Sequence, residues 1–209
     1  MVNKIMLLLA IFVSILPINA LRVFFFRNFF GYNIDYTSHI GMFTVIWCET
    51  FRCGHQVIIG KFNRFVGPFS LEIGNGAKIE YKNEFICNAW ARQNPKYARE
   101  CCIGSNTLIT SNHFFDLTGY FKLGDMSWIA GRGSQFWTHG AGSSKNSVII
   151  GTDCYLGTAV RFAPGASIGN QVIIGMGSVV TKVFSENCAL IAGFPAKLLK
   201  ENYDWRARE

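Results

Sequence analysis

Between Val148 and Lys200 apolar residues return every six positions, at Ile150, Leu156, Phe162, Ile168, Ile174 and Val180. The residues that follow them are Gly151, Gly157, Ala163, Gly169, Gly175 and Thr181, five of the six being Gly or Ala. The fifth position of each hexad holds Cys154, Val160, Ala166, Val172, Ser178 or Phe184. A helix drifts off a six-residue period within two turns. A short strand followed by a tight corner uses six residues and then presents its next apolar side chain inward again. The chain is therefore expected to be an all-β solenoid, a parallel β-helix with one hexad to each face.

The same period is visible upstream. Ile34, Ile40 and Ile46 fit imperfect first coils, and the repeat strengthens at Ile59, Phe65 and Leu71. It then moves by two positions to Ile73, Ile79 and Phe85, which reads as a bulged corner. Polar stretches near 88–102, 112–121 and 140–147 break the period and are expected to leave the solenoid as loops, the usual carriers of binding residues on a rigid scaffold. Residues 196–209, with Leu198, Leu199 and Trp205 set against Lys197, Lys200, Arg206 and Arg208, read as a short amphipathic terminal helix. The expected division is thus an apolar helical segment at 1–30, a β-helix at 31–195 and a C-terminal helix at 196–209.

The first segment is ambiguous in kind. Ile5 to Leu16 is apolar except for Ser14, but Pro17 and Asn19 interrupt it and Arg22 closes it, so it falls short of the roughly 20 apolar residues of a bilayer span. Two short helices that are retained, packing on the solenoid base or lying in a membrane interface, are expected ahead of a span. A span is expected ahead of a cleaved signal peptide, which Lys4, the apolar run and Ala20 also imitate.

At 209 residues, half of them hydrophobic and 16% charged, the chain is long enough for one domain with a continuous core. Its 19 Phe call for stacked aromatics inside the solenoid, with some left to floor a sugar site or face a membrane. The net charge of +7 is spread without a dense basic run or a nucleic-acid motif, so no nucleic acid partner is expected. Seven cysteines in no framework spacing read as reduced thiols, and no paired CxxC units point to a structural zinc, so no metal site is expected.

The run Ile150 to Ser185, and in particular Gly175-Met176-Gly177-Ser178-Val179-Val180-Thr181-Lys182 and Gly193-Phe194-Pro195-Ala196-Lys197, resembles the hexapeptide-repeat acyltransferases. The resemblance implies a left-handed parallel β-helix of triangular section, a homotrimer, acetyl-CoA as acyl donor and a histidine general base. The left hand comes from the resemblance alone, since parallel crossovers otherwise prefer the right hand.

Acetyl transfer to a hydroxyl or amine needs a group that removes the acceptor's proton, and imidazole suits that task near neutral pH. In the family the base follows a Leu/Ile-Gly-Asp hexad and an Ile-Ala hexad, with an extruded loop after it. Here Leu123-Gly124-Asp125 and Ile129-Ala130 lead to Trp137-Thr138-His139, which makes His139 the first choice as base and His113 the second. The resemblance assigns acceptor binding to Asn112, and Asp116 is a candidate to bind substrate or orient an imidazole. It likewise assigns the donor to Gly157, Thr158, Met176, Gly177 and Thr181, with Lys182, Lys197 and Lys200 at the phosphates. Met176 and Tyr155 stand where relatives often carry Ala and Trp, which reshapes the groove.

Other solenoid functions fit less well. A γ-type carbonic anhydrase needs three zinc-bound histidines, and His113 and His139 lie too far apart for its spacing; a nucleotidyltransferase needs a Gly-rich phosphate loop before Ile59. The expected function is an acetyl-CoA-dependent sugar O-acetyltransferase of capsule or O-antigen biosynthesis, acting on a carbohydrate in the cytoplasm or at the inner face of the membrane, with peripheral contact through residues 5–30. N-acetylation of a nucleotide-linked amino sugar and a non-enzymatic scaffold are the alternatives.

Overall fold

In the computed structural model, which describes residues 4–207, two helices precede a coil of short strands. The strands fall into three sheets. The first face has eight strands, from Asn33–Ile34 to Val183–Phe184, and the third has seven, from Val45–Trp47 to Val179–Val180. The second face carries nine, eight of them parallel and the last, Ala196–Lys200, antiparallel to Leu190–Gly193. Successive strands of the chain visit the three faces in turn, and every strand but the last pairs in parallel with the equivalent strand one coil away. This is the left-handed parallel β-helix.

Most strands alternate outward and buried positions, as the two-residue period of a strand requires, whereas Phe114–Asp116 buries both Phe115 and Asp116. Ile34, Ile40 and Ile46 point inward from the first coil, so the weak period before Val57 is already solenoid. On the third face the inward position becomes aromatic. Phe65, Phe85, Phe115, Phe136 and Phe162 pair in register and stack at centroid separations of 4.7, 4.2, 4.8 and 5.5 Å. This ladder accounts for much of the Phe content and ties five coils together through ring contacts as well as backbone hydrogen bonds.

Three sequence expectations change. The lower coils advance by twenty residues, as in Thr50 to Ser70, and the upper coils by eighteen, as in Tyr155 to Ile173. The extra two residues lengthen the first-face strand to four, with two inward side chains each: Phe51 with Cys53, Leu71 with Ile73, Phe121 with Leu123. The step from Leu71 to Ile73 is therefore one strand with two buried rungs, not a bulged corner.

Second, residues 112–121 do not form a loop. They contain the strand Phe114–Asp116, a corner, and the start of the strand Tyr120–Leu123. The polar residues that disguised this stretch, His113, Asp116 and Thr118, are buried and hydrogen-bonded inside the coil. Third, residues 196–200 are a strand rather than the start of a helix, and the chain beyond them turns without forming one. Trp205 packs its indole near Trp128 and Tyr155 and donates to the Asp153 carbonyl at 2.8 Å; Arg208 lies outside the described residues.

At the base, α1 (Lys4–Ser14) and α2 (Asn19–Asn28) cover the first coil. An open coil edge leaves backbone donors and acceptors unpaired. Asn19 supplies the missing rung: its side chain donates to the Ser38 carbonyl at 3.1 Å and accepts from the Ile40 amide at 2.9 Å. Arg22, 2% exposed, donates to the carbonyls of Ile40 and Leu16, and burial lowers its guanidinium pKa. The outer sides of the helices expose Ile5, Leu8, Phe12, Phe24 and Phe29. Among the described residues no helix is long and apolar enough to cross a membrane.

Candidate active site

The corners of the prism differ in kind. Where the second face turns into the third, the coils place residues at positive φ, singly at Phe62, Lys82, Asn112, Ala159 and Gly177, at 57° to 69°, and as a pair at Gly131 and Gly133. Where the third face turns into the first, the chain makes its two excursions, one between Glu84–Ile86 and Glu100–Ile103 and one between Gln135–Phe136 and Ser147–Ile150. His139 opens the second excursion at this corner.

Its imidazole is held by Asp116 from the coil below. Nδ1 lies 2.7 Å from Asp116 Oδ2, and the same oxygen accepts the backbone amides of Thr138 and His139, each at 3.0 Å. The Thr118 hydroxyl donates to the other carboxylate oxygen at 2.8 Å. Asp116 is 3% exposed, and the His139 side chain is 24% exposed. Every group around the carboxylate is a donor, so the carboxylate accepts throughout and the ring contributes Nδ1–H. That fixes the tautomer with the Nε2 lone pair free, the arrangement of an oriented general base.

His113 is placed quite differently. It is 1% exposed at the opposite end of the third face. Its Nδ1 accepts from the Ser134 amide at 3.1 Å, which leaves Nε2–H to donate to the Thr110 hydroxyl at 3.0 Å. Both nitrogens are occupied, and burial lowers its pKa from 6.5 to about 4. Of the two candidate bases, the fold leaves one nitrogen of His139 unpaired and uses both nitrogens of His113 to brace a corner.

Asn112 is not brought to His139. It occupies the left-handed corner position, at φ 60°, which Asn tolerates well. The strand Phe114–Asp116 separates it from the Asp116–His139 pair. Asp116 reaches the site as the residue that orients the imidazole rather than as a surface contact.

The residues expected to meet the donor divide between corners. Gly157, Thr158, Met176 and Gly177 line the corner between the second and third faces; the Gly177 amide donates to Thr158 O at 2.9 Å, and the Thr158 hydroxyl bonds Arg132 O at 3.0 Å. Met176 is 76% exposed, and a Cβ added at Gly177 would meet no atom within 4 Å, so bare backbone there faces open space. Gly157 is different, because a Cβ there would stand 2.8 Å from the Met176 nitrogen; its role is to let neighbouring coils close up. Thr181 and Lys182 follow the third-face strand Val179–Val180 and share the His139 corner, two coils further on. Lys197 and Lys200 are exposed on the final antiparallel strand.

The sequence missed the surroundings of His139. The first excursion, residues 88–99, folds a short 3-10 helix, Ala89–Gln93, and brings two rings edge-on to the imidazole. Trp90 lies at 5.5 Å and Tyr97 at 6.1 Å, centroid to centroid, and at 5.4 Å from each other. Glu49, two coils lower, holds the excursion with ion pairs of 2.8 Å to both Arg92 and Arg99. Two aromatic residues in an otherwise polar insertion were the available signal, but only the coil register shows that the insertion stands beside His139.

No family model matches the chain. It is 45% identical over 57 residues to the putative lipopolysaccharide biosynthesis O-acetyl transferase of Escherichia coli strain K12, a match covering 27% of this chain and 29% of that protein. It is 28% identical over 102 residues to the galactoside O-acetyltransferase of the same organism, covering 49% and 44%. The chain thus matches less than half the length of either relative. Among solved structures it is similar to a hexapeptide-repeat acetyltransferase of Vibrio cholerae O1 biovar eltor in complex with acetyl coenzyme A, with a TM-score of 0.53 at 19% identity over 92% of this chain and 82% of that one. The chain is accordingly a hexapeptide-repeat β-helix whose curated relatives, and several of whose structural neighbours, are acetyltransferases.

Proposed function

We propose that the protein transfers an acetyl group from acetyl-CoA to a hydroxyl of a sugar destined for a capsule or O-antigen type polysaccharide. The observation that carries this reading is the Asp116–His139 pair, with Nδ1 committed to the carboxylate at 2.7 Å and Nε2 free beside an excursion of the chain. Nε2 takes the acceptor hydroxyl's proton as its oxygen attacks the thioester carbonyl, and Asp116 stabilises the imidazolium that results. Protonated His139 then returns that proton to the departing thiolate. The names of the two Escherichia coli relatives favour oxygen as the acceptor atom and a glycan as its carrier.

An acetyl-cysteine route is disfavoured for five of the seven thiols. Burial pushes the thiols of Cys53 and Cys87 up to about 12 and that of Cys154 to about 11, and raises Cys48 and Cys101 as well, which is the reverse of nucleophile activation.

The donor reading rests on Gly177's open backbone, the exposed Met176 beside it, and Lys182, Lys197 and Lys200 in solvent. In a single chain the Thr158–Gly177 corner and the His139 corner lie at opposite ends of the third face. Corners of two neighbouring subunits set side by side would join them, which is the reason for proposing a homotrimer with sites between subunits. The helices of the base, neither of which carries an acidic residue, are read as a contact with the inner face of an anionic membrane. Retention of the protein by vesicles containing anionic lipid, lost when Leu8 and Phe12 become Ser, checks that contact.

The test of function is transfer from labelled acetyl-CoA to a panel of hydroxy and amino sugars, free, nucleotide-linked and lipid-linked. Products that lose the label under mild base are esters, as expected; base-stable products make the protein an N-acetyltransferase, and no product with any acceptor ends the enzyme reading. Replacing Lys182, Lys197 or Lys200 by Ala should raise KM for acetyl-CoA, leave the acceptor KM unchanged and flatten its salt dependence.

A further inference from the structure

Most of the excursion 88–99 adds no rung to the solenoid; only at its end does the Arg99 carbonyl accept the Ser70 amide at 2.9 Å and the Arg99 amide donate to the Thr118 carbonyl at 3.2 Å. The ladder closes without it, since Glu100–Ile103 pairs in register with Ser70–Ile73 below and Tyr120–Leu123 above. Ala91 alone of its residues is buried. Beneath it lies a cavity of about 250 Å³ between Met6, Phe30, Tyr32 and Trp47, so its packing into the core is confined to Ala91. What holds it is Glu49, through Arg92 and Arg99, with Arg99 also donating to the Pro68 carbonyl at 2.6 Å.

A stretch fixed in this way, carrying Trp90 46% exposed and Tyr97 half-buried, is built to hold two rings beside His139. Its position also says which substrate it meets. It leaves the solenoid on the N-terminal side of His139, whereas the residues assigned to the donor lie in the coils on the C-terminal side. Its two arginines already serve Glu49, which leaves them poorly suited to the phosphates of CoA, and its third cation, Lys96, lies over the Tyr97 ring at 5.0 Å. A pyranose, by contrast, has a face of C–H bonds that packs on aromatic rings and a rim of hydroxyls that Asn88, Gln93 and Asn94 in the same stretch are equipped to bond.

Resting on the acetyltransferase reading above, we propose that Trp90 and Tyr97 form the wall on which the acceptor's pyranose ring packs, and that Glu49 is the positioning residue that fixes this wall against His139. The wall selects for a ring with one unsubstituted apolar face. It sets acceptor affinity and leaves the donor untouched.

Steady-state kinetics with acetyl-CoA and a panel of methyl hexopyranosides tests this. Trp90→Ala and Tyr97→Ala should each raise the acceptor KM by roughly three- to tenfold, with KM for acetyl-CoA unchanged. Trp90→Phe, which keeps a ring, should recover most of the loss, and Glu49→Gln should reproduce part of it. A rise in KM for acetyl-CoA would give the wall to the donor and overturn the proposal. A fall in kcat with both KM values unchanged would overturn it too, by reducing the rings to a shield for the imidazole. Binding of the same glycosides to His139→Ala protein, followed by saturation-transfer NMR, separates the two layers of argument. Sugar binding that survives Trp90→Ala undiminished defeats the wall alone, whereas a wild-type protein that neither binds nor acetylates any glycoside defeats the sugar reading together with it.

Discussion

His113 and His139 sit in adjacent coils at opposite ends of the same face, and the chain treats them in opposite ways. At the His113 end the coils turn through left-handed residues, the corner is closed, and both imidazole nitrogens are spent on the Ser134 amide and the Thr110 hydroxyl. At the His139 end the corner is opened by excursions, a buried carboxylate takes one nitrogen, and the other is left over. A histidine's usefulness in catalysis is decided by which of its nitrogens the fold leaves unpaired. Nearness to a recognisable motif decides much less.

The comparison predicts sharply different losses. His139→Ala should lower kcat by about 10² to 10⁴ with little change in melting temperature, since its side chain is a quarter exposed. A variant of near wild-type turnover would move the base elsewhere.

His113→Ala should do the reverse, costing about 2 to 4 kcal/mol by urea unfolding, because the Ser134 amide loses its partner and a void is left, while the protein that remains folded keeps its kcat within a few-fold. The pH dependence follows from the same burial. An unfolded chain protonates this histidine below about 6.5, and the folded one resists until about 4. The stability it contributes is therefore complete above pH 6.5 and declines as pH falls toward 4, by on the order of 3 kcal/mol. Unfolding midpoints measured across that window should slope in wild type and flatten in His113→Gln; equal slopes would place the protonation elsewhere.

The smallest effect belongs to the clamp on the open corner. Glu49→Gln removes the charge from two partly exposed ion pairs, so global stability should fall by only about 1 kcal/mol. Amide exchange across residues 89–99 should nevertheless quicken, with the rest of the coil unaffected. Uniform acceleration would mean that Glu49 supports the solenoid itself.

How far the sequence could be read follows the same division. Where inward positions are apolar, as from Ile150 to Val180, the six-residue period declares the strands directly. Where the interior is polar, the period fails though the fold does not. Asp116 and His113 are buried residues of a regular coil, but buried polar groups satisfied by partners a coil away look like loop residues in one dimension. Asp116 was legible as a partner for an imidazole and His139 as a candidate base, yet their meeting depends on the pairing of Phe115 with Phe136, which no local pattern encodes. Trp90 and Tyr97 were hidden for the same reason. The final strand was misread because Leu198 and Leu199 beside lysines satisfy a helical stripe as well as a hairpin edge.

Both excursions leave from one corner, and the strands on either side of each keep their register with the coils above and below. From Ser70 to Glu100 the chain travels ten residues more than from Thr50 to Ser70, and no rung of the ladder moves. Length at this edge is thus decoupled from the integrity of the scaffold. Insertions and deletions between Ile86 and Glu100 become a nearly neutral currency for evolution, and loops exchanged there between related solenoids should transplant acceptor preference while the coils beneath stay as they were.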